Sequence, residues 1–292
     1  MKWIEHRTAA ASHWDALSGT GSLGGLPIFV ALTGVADASP VPGKGGSSVA
    51  DRRACLVIGA GDGVGAAIGR AFAREGLTVC LTRRPRNLDQ LEATAKSIRE
   101  EGGDARAYGV DAREEGEMIA LFDQIEAEVG PLEVVVFNIG ANVWFPLTET
   151  TTRVYTKVWE MAALSGFIAT REAARVMTPR RRGTILITGA TASVRGRAEF
   201  SAFSGAKHAL RALAQSAARE LGPKGIHVAH IIVDGAIDGA FNRGRIPDIE
   251  ARLAQDEILK PDEIAKNYVW LHSQGRSAWT HEIDLRPWTE AW

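Results

Sequence analysis

The chain has 292 residues, 34 basic against 35 acidic, for a formal charge of −1. That balance gives no whole-chain reason to expect a nucleic-acid partner, and no apolar run approaches the about 20 residues a membrane span requires. The length suffices for one domain of about 240 residues plus an extension, or for two smaller domains.

Residues 1–50 differ from the rest. Gly19 to Gly25 and Pro40 to Ser48 have the Gly, Ser and Pro content of linkers, and Leu26 to Val35 between them is modestly apolar. A secretory leader would carry a basic start and a longer apolar centre, and Met1 to His6 fits that poorly. The expectation is an extension or flexible leader on a single domain spanning 51–292. Cys55 and Cys80 each sit inside an apolar run without metal-type spacing, so they read as buried thiols of a cytoplasmic protein. No metal site is expected.

From Asp51 the pattern becomes regular. Ala54 to Ile58 is an apolar strand that enters the turn Gly59-Ala60-Gly61-Asp62-Gly63-Val64-Gly65. A helix over Ala66 to Glu75 follows, with Gly76 as its C-cap. Further strands are predicted at 77–81, 105–110, 134–137, 184–188, 227–233 and 282–285. Helices are predicted at 89–101, 114–129, 151–177 and 261–271, and after Lys207 along Ala209 to Leu221. Apolar strands alternating with helices imply an α/β protein: a doubly wound, Rossmann-like parallel sheet of about seven strands with helices on both faces.

A glycine turn between first strand and first helix lets the backbone approach a pyrophosphate, whose charge the helix N-terminus stabilises. Such a turn also serves plain close packing. Here the spacing Gly59-x-x-x-Gly63-x-Gly65 resembles that of the short-chain dehydrogenase/reductase family. The resemblance recurs in the family's order over residues 53–285. Asp111 with Ala112 stands where an Asp contacts the adenine, and Asn138-Ile139-Gly140 is similar to the family's Asn-Ala-Gly turn. Gly235 and Ile237 stand where the nicotinamide amide is held, with Asp234 in place of a Pro. Lys207 matches the family's active-site Lys, which holds the nicotinamide ribose.

The resemblance implies a dinucleotide cofactor. At the end of the second strand Arg83 and Arg84 favour NADP(H) over NAD(H) through charge-assisted pairing with a 2′-phosphate. Asp62 argues the other way, and both arginines also read as solvated loop charges.

The chemistry departs from the family. Phe203 stands at the position of the acid/base Tyr, Ala190 at that of the Ser, and Ala163 at that of the Asn. Only Lys207 of the four remains; it could act as the acid itself, since burial and a missing partner lower a Lys pKa, or hold the ribose hydroxyls and nothing more. Thr191 and Ser193 bracket the missing Ser and could present a hydroxyl, or serve equally well in turn hydrogen bonding. Ser204 and His208 lie off the face shared by Phe203 and Lys207. Trp144, Phe200 and Phe203 fall in segments that line the family's substrate cleft, under a lid near 236–258, which suggests a hydrophobic or aromatic small molecule. Subunit or core packing explains the same aromatics.

Three readings remain open: an oxidoreductase of unusual proton transfer, a nucleotide-binding protein without catalysis, and an enzyme of non-redox chemistry. The resemblance also implies a homodimer or homotetramer.

Overall fold

The computed structural model describes residues 53–291, which fall within one compact unit. The extension expected at 1–50 lies outside the described residues. Seven parallel strands form one sheet in the order β3-β2-β1-β4-β5-β6-β7. They are β1 (Ala54–Ile58), β2 (Thr78–Arg83), β3 (Asp104–Gly109), β4 (Leu132–Phe137), β5 (Gly183–Thr188), β6 (Ile226–Val233) and β7 (Glu282–Leu285). The expected architecture is therefore present, with strand bounds shifted by a residue or two.

Alternate residues of β1 serve opposite faces of the sheet, as the period of two requires. Leu56 and Ile58 join one core with Phe122 of α3 (Glu115–Glu128), Ile168 of α5 (Ser165–Met177) and Leu210 of α6 (Ser201–Leu221). Cys55 and Val57 join the other, with Phe72 of α1 (Val64–Arg74), Ile98 of α2 (Leu88–Glu100) and Tyr268 of α9 (Pro261–Ser273). Both faces of the central strands are thus covered, which is why those strands read as continuous apolar runs. Cys55 and Cys80 are buried free thiols, and burial pushes both upward in pKa, Cys80 to about 12.

The chain order reverses on either side of β1, which pairs with β2 on one edge and β4 on the other. In open α/β sheets a cleft forms at such a point, beyond the carboxyl ends of the strands.

Two helical regions position the site. The helices expected over 151–177 are α4 (Thr152–Trp159) and α5, joined through a π-turn, Glu160–Leu164. A π-turn of this kind commonly marks a functional region. Ala163 lies in it, packed with Ala202 and Ala206 of α6. Helix α6 begins at Ser201, so Phe203 and Lys207 occupy its first two turns. The segment expected as a lid holds two short helices, α7 (Ala240–Arg243) and α8 (Ile249–Ala254).

Candidate active site

The glycine turn is shaped by two close approaches. Gly59 has φ +91°, and a Cβ there would stand 2.9 Å from the carbonyl oxygen of Asn138. Gly65 lies so near Ala60 that a Cβ would meet its Cα at 2.7 Å. A Cβ on Gly61 or Gly63 would instead meet nothing within 4 Å, so open space lies above the turn. Helix α1 starts at Val64, after the N-cap Gly63, with no side-chain cap and no acid in its first turn; the Ala66 N–H donates to the Gly61 carbonyl at 2.9 Å, which leaves those of Val64 and Gly65 for a ligand. Asn138 ties the turn to the end of β4: its Nδ2 donates to the Gly59 carbonyl at 3.1 Å.

Two cavities flank this junction, and Asn138, Ile139 and Gly140 line both. The smaller, about 230 Å³, is walled by Gly59, Gly61, Arg83, Arg84, Asp111, Ala112 and Arg113. Arg113 holds Asp111 with two nitrogens, Nε to Oδ1 at 2.9 Å and Nη2 to Oδ2 at 2.6 Å, and this grip keeps the carboxyl below its usual range. Arg83 reaches Gln90 at 3.3 Å. Arg84 is lowered in pKa by partial burial and then by the neighbouring Arg86. Asp62 is exposed and stands outside this wall, so the carboxylate expected to oppose a 2′-phosphate does not face the arginines' cavity.

The larger cavity, about 800 Å³, is lined by Val64, Thr191, Phe200, Phe203, Lys207, Gly235 and Ile237 among others. Lys207 is 2% exposed, and its Nζ donates to the carbonyls of Ile139 at 3.1 Å and Thr188 at 2.9 Å. Burial lowers its pKa to about 8. The Phe203 ring lies beside it. Gly63 and Gly65 form the turn without lining either cavity.

The structure places the remaining candidates as follows. Ser193 is fully buried and faces inward: its Oγ accepts from the Ala190 N–H at 3.1 Å, and it does not line the cavity. The tight 3₁₀ turn at Thr191–Ser193 points that side chain into the core. Thr191 does line the cavity, but its hydroxyl is committed to Asp234 Oδ1. Trp144 does not line the cavity: it is exposed, stacking on Phe200 at 6.3 Å and meeting Phe241 edge-on. Ser204, set aside on helical geometry, is part of the wall, although its Oγ is itself buried and unpartnered among the described residues.

Other groups gave little signal in the sequence. Asp234 is 1% exposed and engages Thr191, Arg195 (3.0 Å) and Arg286 (3.5 Å). These partners are distant in the chain, so no local motif announces them. Tyr268 bonds Thr188 Oγ1 at 2.7 Å, and burial raises its pKa; it does not line the cavity. Behind Gly189, His230 Nδ1 meets Glu282 at 2.9 Å, and Arg211 grips the same carboxylate at 2.7 Å.

The glycine cradle, the free helix terminus and the paired cavities fit a dinucleotide. Residues 53–248 match the model of the short chain dehydrogenase family. The chain is 45% identical to a solved short-chain dehydrogenase from Rhodopseudomonas palustris, with a TM-score of 0.69 over 81% of this chain and 99% of that one. It is 33% identical to momilactone A synthase of Oryza sativa subsp. japonica, over 76% of this chain and 83% of that protein. A metagenomic short-chain oxidoreductase solved in complex with NADP is 25% identical, with a TM-score of 0.69 over 82% of this chain and 99% of that one. With its glycine turn, its sheet order and these likenesses, the chain belongs to the short-chain dehydrogenase family.

Proposed function

We propose that the protein is an NADP(H)-dependent oxidoreductase acting on a small apolar or aromatic carbonyl or alcohol. The observation that carries this reading is the shared wall: Asn138, Ile139 and Gly140 line both cavities, making one crescent past the glycine turn to Lys207. The turn and α1 would hold a pyrophosphate, and Asp111 with Ala112 would meet the adenine. Arg83 and Arg84 would receive a 2′-phosphate, and Asp62, turned outward, does not oppose it. Lys207 would hold the nicotinamide ribose, and Gly235 with Ile237 the ring's amide. The bound cofactor supplies the hydride chemistry.

This chain's residues exclude water and orient the substrate. Phe200 and Phe203 line the cavity, Trp144 stacks on Phe200, and Phe241 meets Trp144 edge-on. An aromatic wall of this kind suits an apolar substrate body. At the tyrosine position of the family this chain carries Phe203, so the proton must come from another group.

A second reading, nucleotide binding without hydride transfer, draws on the same wall: among the described residues no tyrosine lines it, and Ser193 is turned away. Titrating the protein with NADPH and NADH by fluorescence, then measuring single-turnover oxidation with aromatic carbonyls, separates the two. Turnover supports the oxidoreductase; tight NADPH binding without turnover supports the second reading; binding of neither nucleotide sinks both.

A homodimer or homotetramer fits the apolar side chains exposed along the long helix, Tyr155, Trp159, Leu164 and Phe167. The buried thiols suit a cytoplasmic setting.

A further inference from the structure

The segment after β7 returns across the larger cavity, and its course is held at several points. The Asp234 N–H donates to the Leu285 carbonyl at 2.8 Å, and Arg286 Nη2 stands 3.5 Å from Asp234 Oδ2. Pro287 then packs on Gly235 so closely that a Cβ at Gly235 would stand 2.8 Å from Pro287 Cδ. Trp288 Nε1 donates to the Gln255 carbonyl at 3.0 Å, just beyond α8. A turn closed by the Glu290 N–H to the Pro287 carbonyl, 3.0 Å, brings Glu290 into the cavity wall.

Glu290 is the one carboxylate lining this cavity among the described residues. Its side chain has no hydrogen-bond or ion-pair partner among them, and its Oε2 lies 3.5 Å from the Cβ position of Gly235. The charged groups that share the wall are Arg195 and Arg197 from the β5–α6 connection and Lys207 from α6. Beneath Gly235, Asp234 is already engaged by Thr191, Arg195 and Arg286. Of the hydroxyls near the site, Ser193 faces Ala190, Thr191 is bound to Asp234 and Tyr268 to Thr188, while Ser204 Oγ is buried without a partner among the described residues; Lys207 Nζ is held by two backbone carbonyls.

We infer that Glu290 is the acid–base group of this site, replacing a tyrosine on α6 with a carboxylate carried in by the segment after β7. The inference rests on the proposed oxidoreductase function. In oxidation, the Glu290 carboxylate would take the proton as the alcohol's O–H bond breaks, the oxygen's electron pair forming the C=O bond while the C–H hydride leaves to the oxidised nicotinamide that the site would hold. In reduction Glu290 would return that proton to the carbonyl oxygen, the reduced nicotinamide supplying the hydride to carbon. A positioned group of this kind contributes typically about 10²- to 10⁴-fold in rate.

The test compares wild type, Glu290→Gln, Glu290→Ala and the double variant Glu290→Gln/Phe203→Tyr, with secondary alcohols of aromatic and alicyclic type. NADP⁺ and NADPH affinities are measured separately by fluorescence. The expected result for Glu290→Gln is a loss of kcat by about 10²-fold or more with NADPH affinity retained. NADP⁺ affinity should fall several-fold relative to NADPH, because a cationic ring loses a nearby carboxylate. Added formate should restore part of the Glu290→Ala rate, and Phe203→Tyr should rescue Glu290→Gln. Unchanged kcat in Glu290→Gln overturns the inference while leaving the proposed function standing. Equal loss of kcat and of NADPH affinity, with no response to formate or to Phe203→Tyr, makes Glu290 structural and also overturns it. Wild-type NADPH binding without turnover of any alcohol overturns it in favour of a non-catalytic pocket. Failure to bind either nucleotide overturns both this inference and the proposed function.

Discussion

Lys207 Nζ stands 6.0 Å from the centre of the Phe203 ring, one helical turn away on α6 and facing the same cavity. Two backbone carbonyls hold the ammonium in place, and no phenol hydroxyl shares the wall with it among the described residues. Phe203→Tyr adds a hydroxyl to a ring already seated beside a cation, which lowers the pKa of a phenol. With Glu290 already moving the proton, the expected outcome is little change in wild-type kcat for carbonyl reduction, and a rise of about 10²-fold or more when the same change is made in Glu290→Gln, with NADPH affinity unchanged in both. Steady-state kinetics at saturating NADPH measure it, and a rise of about 10²-fold in the wild-type background would mean that the native site lacks an effective acid–base group.

At the other end of the crescent, Arg84 lines the smaller cavity and Arg83 is partly engaged by Gln90. A hydrogen bond to a charged group contributes about 1.5–3 kcal/mol. Arg84→Ala should therefore weaken NADPH binding by roughly 10- to 100-fold and leave NADH binding within about twofold. Isothermal titration with both nucleotides reads the difference. Equal weakening of both would place the 2′-phosphate contact elsewhere.

Much of this was legible in the sequence because the relevant forces are local. The βα alternation, the glycine spacing and the continuous apolar run of β1 each follow from neighbouring residues, and so the sheet and its cradle are foreseeable. Spacing alone leaves Ser193 open between a cavity hydroxyl and a turn hydrogen bond, and the 3₁₀ turn with its core position decides for the turn bond. The role of Asp234 depends on Arg195 and Arg286, and that of Glu290 on a turn after β7. Such groups meet only through tertiary packing, which no spacing rule records.

Gly189 marks a place where the site's floor meets the core. A Cβ there would stand 2.3 Å from His230 Nε2 and 2.6 Å from Cε1, and the ring cannot retreat because Glu282 holds Nδ1. Overpacking of this kind costs about 1–3 kcal/mol. Gly189→Ala should be destabilised by that amount in urea unfolding, and pairing it with His230→Ala should recover part of the loss. Additive losses in the double variant would show that the strain is relieved elsewhere.

The same histidine sets an acid limit on stability. Burial lowers the His230 pKa from 6.5 to about 4, outweighing the opposite pull of Glu282, while Arg211 and Lys207 add repulsion. As pH falls from 6.5 towards 4, the unfolded chain takes up this proton and the native state does not, so stability declines over that window. The decline is roughly 3 kcal/mol at most. Below it, Glu282 acts in the same direction: Arg211 chiefly holds its pKa at about 2, so its contribution is lost as pH drops from 4.5 towards 2. His230→Asn should flatten the upper part of the curve and leave the lower part in place. Urea midpoints measured from pH 7 to pH 3.5 give the comparison. A His230→Asn curve parallel to wild type between pH 6.5 and 4 would mean that this imidazole does not govern the acid limit.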